Sequence, residues 1–383
     1  MSALTRASPA ACTRSQRISH IAQHPYCSRA ATAALIGQRQ RRHHAEASEG
    51  GGGAPLGLII ECDGALVDAH VEGHRVAFNR AFTEIGHDCT SWNAAVFYDL
   101  MRLGDGTGEG LIAAYYGIAG WPMMLASSER GMFLKKVHAL KVGILREMTA
   151  KGEVPLRTGA AAFLDDALAD GAQIAVVAAT ASVPEDGLVS SAMMNLGPNR
   201  AFQLRVVSMG AGSGSVAFGG EGGDGAAAPP PGGSQSGDEL PGASFETQVA
   251  AAQAKAKGQA AREFVRVYNL QQASGLGVQV DPKMMAAAER AGLITPQFMS
   301  ALATTLGTGL SSTMVVGGGH TILEAGKSAG LLSLAIPPSV AKRGGFAAAD
   351  AMFDGYGAGG GLTWRKAKLL LEKKQRLEGG ATA

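Results

Sequence analysis

Long apolar runs are missing from this chain. No stretch approaches the roughly 20 consecutive apolar residues that a membrane-spanning helix needs, so no membrane span is expected. Charge imbalance is missing as well: a formal net charge of +2 over 383 residues gives no bulk electrostatic case for a nucleic-acid partner. Cysteine is scarce. Of the four, Cys12 and Cys27 fall near the N-terminus and Cys62 and Cys89 in the body, too few for a disulfide framework, so reduced thiols are expected. What is present, 46% hydrophobic and 17% charged residues, suffices for at least one large core and could supply two domains.

Residues 1–53 carry Arg6, Arg14, Arg17, Arg29, Arg39, Arg41 and Arg42, many Ser, Ala and Thr, and no acidic residue before Glu46. This is the composition of an organelle transit peptide, ending in the Gly50–Gly53 run; a basic tail for an acidic partner is the other reading. The body is organised around Leu58-Ile59-Ile60-Glu61-Cys62-Asp63-Gly64-Ala65-Leu66-Val67-Asp68. A buried strand here sets Glu61 and Asp63 together at its carboxyl end, on one side of the pleat, a place suited to phosphate chemistry. The same alternation turns Cys62 away, toward burial.

Helical spacing over Val71–Ile85 places Phe78, Ala81, Phe82 and Ile85 on one face, ended by Gly86. Further helices are expected over 95–103 and 129–148, the second capped by Ser128. A helical block over residues 70–154 therefore separates the first strand from the next. From Pro155 helices and strands alternate: a helix over 160–169, strands over 174–179 and 204–207, helices opened by Ser244, Asp281-Pro282 and Thr295-Pro296, strands over 314–316 and 331–336, and an edge strand at Ala351-Met352-Phe353. Alternation of this kind argues for a parallel sheet covered by helices, with its chemistry at the strands' carboxyl ends. Residues 208–243 are Gly, Ala, Pro and Ser with few aliphatics, and are expected to form a mobile insertion. Residues 357–383 are expected to close the chain with a basic, surface-exposed helix from Trp364.

Glu61-x-Asp63-Gly64-x-Leu66-x-Asp68 resembles the first motif of the haloacid dehalogenase superfamily, with glutamate where that family has its nucleophilic aspartate. His74, Phe78, Asn79 and Phe82, then Gly120-Trp121-Pro122 and Pro155-Leu156-Arg157-Thr158-Gly159, then Ala325, Lys327, Ala329 and Gly330, and finally Phe353-Asp354-Gly355, resemble landmarks of its CbbY-like sugar-phosphate phosphatases. The resemblance implies an α/β fold: a doubly wound parallel sheet, or Rossmannoid core, built from residues 54–69 and 155–356, with a helical cap inserted after the first strand. It also implies a plastid location, the chloroplast stroma, with the mitochondrion as second choice.

The family's chemistry uses a nucleophilic aspartate, an acid/base aspartate two residues on, a Ser or Thr and a Lys on the phosphoryl group, and Mg²⁺ held by acids after the fourth strand. By resemblance Asp63 and Thr180 match the acid/base and hydroxyl positions. Glu61 stands at the nucleophile, its extra methylene moving the carboxylate about an ångström, a misplacement that can cost roughly 100-fold. The lysine is absent where Leu293 aligns, with Lys283 upstream as a substitute, and Gly317-Gly318-Gly319 replaces the metal-binding acids. No metal site is expected, Glu61 and Asp63 serving only if Mg²⁺ is retained, and so no cofactor unless the chain is active. Gly318 and Gly319 are candidates for cradling a phosphate on their amides, Arg102 for gripping a distal one, and His320 is expected at the surface. The expectation is a catalytically impaired, non-catalytic binding or regulatory protein for a sugar-phosphate ligand or a plastid protein partner. The alternatives are a slow phosphatase with Glu61 as nucleophile, and a scaffold using the Gly/Pro loop and final helix.

Overall fold

The structure, a computed structural model, describes residues 55–87, 90–122, 125–178, 185–208, 245–274, 278, 280–338 and 345–380. The expected leader and nearly all of the Gly/Pro insertion lie outside them; Ser208 itself closes a strand. The sheet is built from β1 (Gly57–Glu61), β2 (Gln173–Ala178), β3 (Leu204–Ser208), β4 (Thr313–Gly317), β5 (Leu332–Ala335) and β6 (Ala351–Met352). Their order is β3-β2-β1-β4-β5-β6 and every pairing is parallel. The fold class is therefore α/β with a parallel sheet, as the alternation predicts.

Period-two alternation splits the central strands between two cores. Leu58, Ile60, Ile174, Val176, Met314 and Val316 pack on one face, with α5 (Ala160–Ala169), α6 (Glu185–Leu196) and α12 (Trp364–Gly380). Ile59, Ala175, Val177 and Val315 pack on the other, with α8 (Phe245–Ala273), α9 (Pro282–Ala291), α10 (Pro296–Thr305) and α11 (His320–Ser328). A short helix, α7 (Pro198–Ala201), leads into β3. Burial of both faces is why these strands read as unbroken apolar runs; each fully buried Leu, Ile or Val contributes about 1.5–3 kcal/mol of transfer free energy.

Between β1 and β2 the chain makes a π-helical turn, Ala69–His74, and then α1 (Arg75–Glu84), α2 (Ala94–Leu103), α3 (Gly108–Ala119) and α4 (Arg130–Ala150). Phe78, Phe82, Trp92 and Phe97 form the fully buried centre of this block, with Trp92 4.9 Å from each of the two α1 rings. Asn79 fixes the Trp92 backbone from both sides, its Oδ1 accepting the amide at 2.8 Å and its Nδ2 donating to the carbonyl at 3.0 Å. Where the chain returns, Val67 bridges to Leu156 and the Arg157 amide donates to Leu66 O at 2.7 Å, so entry and exit of the helical block are paired.

Three local expectations are corrected. Ser128 does not cap α4: it lies within a 3-10 turn, Ser127–Glu129, where Glu129 Oε2 accepts the Ala126 amide at 3.2 Å instead. The final helix begins at Trp364 as expected, but it is packed as well as basic, with Trp364, Ala367 and Leu371 buried. His320 is half-buried, its ring lying flat on Phe346 with centroids 4.5 Å apart. Helices α3, α6 and α7 were not foreseen as elements.

Candidate functional site

β1 ends at Glu61, and both flanking strands carry chain to the same level: Glu61 pairs with Val177 of β2, and Ile60 with Val316 of β4. Beyond Glu61 the backbone turns sharply, Gly64 taking φ +87° and donating to Val67 O at 2.7 Å. The turn after β4 comes against it, backbone to backbone. A Cβ on Gly318 would stand 2.7 Å from the Gly64 Cα and carbonyl carbon, a distance no side chain tolerates, so glycine is required by contact at Gly318 and by conformation at Gly64.

This approach delivers the Gly318 and Gly319 amides to the Glu61 side chain. Oε2 of Glu61 accepts from Gly318 N at 2.7 Å and from Gly319 N at 2.8 Å, at the N-terminal end of α11, whose exposed amides favour an anion. Glu61 is 3% exposed. The two glycines, candidates for cradling a phosphate, thus hold the protein's own carboxylate. The methylene that separates glutamate from aspartate supplies the reach.

Asp63 is also buried, and its Oδ1 accepts the Ala69 amide at 3.2 Å. Asp68 caps the π-helical turn through the Val71 amide at 2.9 Å; burial raises its carboxyl above the usual range. Cys62 is buried as expected, and burial, with the Asp63 and Glu61 charges adding, pushes its thiol far up, so it is not a thiolate nucleophile.

One residue that sequence reasoning used only as a landmark proves central. The Arg157 guanidinium donates to Gly64 O at 2.5 Å, Ile336 O at 2.7 Å and Pro337 O at 3.2 Å, tying the turn after β1 to the end of β5. Tyr356 adds a bond from its hydroxyl to Ala65 O at 3.0 Å. A basic residue just after the helical block was the available signal; its carbonyl partners, about 90 and 180 positions away in the chain, were not readable.

Glu61, Asp63, Gly318 and Gly319 are therefore brought together, whereas Thr180 lies outside the described residues. Arg102 is exposed on the last turn of α2 and forms no ion pair among the described residues. Leu293 is half-exposed, and Lys283 is exposed in the first turn of α9, its amide donating to Asp281. The Mg²⁺ that the resemblance implies prefers several oxygen ligands in a tight octahedron, and the donor set does not fit it. Oε2 of Glu61 already faces two N–H groups, and the positions after β4 are glycines. Among the described residues no group of three or more His, Cys, Asp or Glu side chains could hold a metal ion.

No family model matches the chain. A CBBY-like protein of Arabidopsis thaliana is 32% identical over 154 residues, 40% of this chain and 46% of that protein. The plasmid-encoded protein CbbY of Cupriavidus necator is 32% identical over 138 residues, 35% and 51% of the two chains. The chain thus spans about half the length of the curated relatives it matches. Among solved structures, CbbY from Rhodobacter sphaeroides in complex with phosphate aligns with 80% of this chain and 97% of its own at 18% identity and a TM-score of 0.39. The sequence similarities, taken with a parallel sheet whose first strand leads into a helical block, support an α/β fold of the haloacid dehalogenase type, similar to CbbY-like proteins.

Proposed function

We propose that this chain is a CbbY-like, haloacid-dehalogenase-type protein of the plastid whose site binds or senses a sugar phosphate, or serves a protein partner, without appreciable phosphatase activity. The observation that carries this reading is the pair of hydrogen bonds from Gly318 and Gly319 to Glu61. A nucleophilic carboxylate must direct a lone pair at phosphorus; here Oε2 is held by two amides, which leaves attack to Oε1 at most and fixes the carboxylate's orientation. The same amides are then unavailable to offset charge on a transferring phosphoryl group. Asp63 keeps its position as acid/base, but with the Mg²⁺ ligands and the motif lysine replaced, each loss is typically worth several powers of ten in rate.

A second reading is supported by the burial of Glu61 and Asp63 together at the strand end: a slow, Mg²⁺-dependent phosphatase with Glu61 as nucleophile. Phosphate release by the full chain across a sugar-phosphate panel, with and without Mg²⁺ and beside Glu61→Gln, separates the two. We expect no turnover above the Gln variant. Turnover that needs both Mg²⁺ and Glu61 overturns the non-catalytic reading. Ligand-induced thermal shifts with the same panel then test binding, and a fluorescent fusion to the full chain tests the plastid location against the mitochondrial one.

A further inference from the structure

Lys141 is fully buried on α4, an expensive place for an ammonium group. Its Nζ lies 2.6 Å from Nδ1 of His74 and 4.9 Å from the centre of the Phe78 ring. His74 is fully buried too and ends the π-helical turn. One hydrogen bond thus ties the first residues of the helical block to its 21-residue last helix, after which the chain returns to the sheet.

At this separation the two nitrogens share hydrogen-bonding capacity. Either the ammonium donates to a neutral imidazole or the imidazole donates to a neutral amine. With both protonated, two like charges would stand in contact where water screens them poorly. The titratable and charged groups around them come from every neighbouring element. His70, from the same turn, has its ring 5.8 Å from that of His74. His138 lies one turn back on α4, and Glu109 of α3 stands 3.9 Å from it. Arg75 of α1 directs its guanidinium to the Val71 and Trp92 carbonyls.

We propose that His74 and Lys141 form an acid-released latch between the π-helical turn and α4, closed while the pair holds no more than one proton beyond its neutral state and opened by the second. Burial, with the Lys141 charge adding, holds the His74 imidazole well below its ordinary range, and burial brings Lys141 down to about 7. The pair takes its first proton near neutrality and resists the next. Opening releases the segment that leads from Asp68, beside the buried acids, into the helical block, so acid loosens the site from that side.

The test is hydrogen–deuterium exchange of the full chain from pH 8 to pH 5, corrected for intrinsic exchange, beside Lys141→Met and His74→Gln. The wild-type chain is expected to lose roughly tenfold or more in protection over residues 69–84 and 137–145 in acid, while β1 and β4 hold level. Neither variant can carry two charges at this contact, so both lose the transition. An acid transition that persists at the same midpoint in a folded variant overturns the latch. Imidazole NMR on the wild-type chain decides the matter if neither variant folds: His74 must stay neutral below pH 6 until protection falls, whereas titration at the ordinary value of about 6.5 with protection intact overturns it.

Discussion

At the scale of single residues, Glu61 decides how the molecule is read. Restoring the aspartate of the family pattern removes one methylene and with it the reach to the Gly318 and Gly319 amides. Glu61→Asp should therefore destabilise the chain by about 1–3 kcal/mol, the cost of buried polar groups left unpaired, read as a lowered urea midpoint at unchanged slope. An unchanged midpoint would mean that the two bonds add nothing to stability. The acids themselves were legible in the sequence, because they sit one residue apart at the end of an apolar run. Their partner was not: Gly318 lies 257 positions from Glu61, and only the β1–β4 pairing brings the two together. Arg157 was hidden for the same reason, since its carbonyl acceptors carry no side-chain signature.

At the scale of elements, local punctuation made the best predictor. Asp281-Pro282 and Thr295-Pro296 open α9 and α10, the Asp281 carboxylate accepting the Lys283 amide and the Thr295 hydroxyl the Phe298 amide, and Gly292 closes α9 in the left-handed conformation. Each signal spans a few residues and depends on nothing distant. Helix α3 was missed because Gly104, Gly106, Gly108 and Gly110 read as loop, although Thr107 caps it through the Gly110 amide at 2.9 Å. Glycine elsewhere is forced by packing. In α11 a Cβ on Gly326 would stand 2.5 Å from Val315 Cγ1 on β4, and that branched, fully buried side chain has nowhere to go. Alanine gains up to about 1 kcal/mol in helix propensity but meets an overpacking cost of about 1–3 kcal/mol. Gly326→Ala should therefore lower thermal stability; a stabilised variant would show that α11 can shift away from the sheet.

At the scale of the whole molecule, buried bases set the response to pH. Burial holds His74 and His138 below the ordinary imidazole range and Lys141 at about 7. A base with a depressed folded pKa takes its proton more readily once the chain unfolds, so stability is lost as pH falls below the unfolded value. For Lys141 that window runs from about 10.5 down to about 7, and for the histidines it lies below about 6.5. Asp68 and Glu289, raised by burial, act in the opposite direction, from their unfolded values upward. Unfolding free energy should therefore rise from pH 5 to pH 9, by roughly a few kcal/mol, in urea titrations at fixed ionic strength; a flat or falling profile sinks the argument. α12 belongs to this scale too. Trp364 Nε1 donates to Asp170 at 2.9 Å, and Lys374 reaches the Gly330 and Leu331 carbonyls at 2.8 and 2.7 Å, so a helix whose composition suggests a free surface is fastened to the sheet. The π-helical turn of Ala69–His74, closed by the Arg75 amide on His70 O, holds one residue more than an α-turn of the same phase. That extra residue sets the phase between Asp68, which caps the turn through the Val71 amide, and α1, whose Phe78 and Phe82 face inward, so the length of this turn is what aims the helical block's first helix.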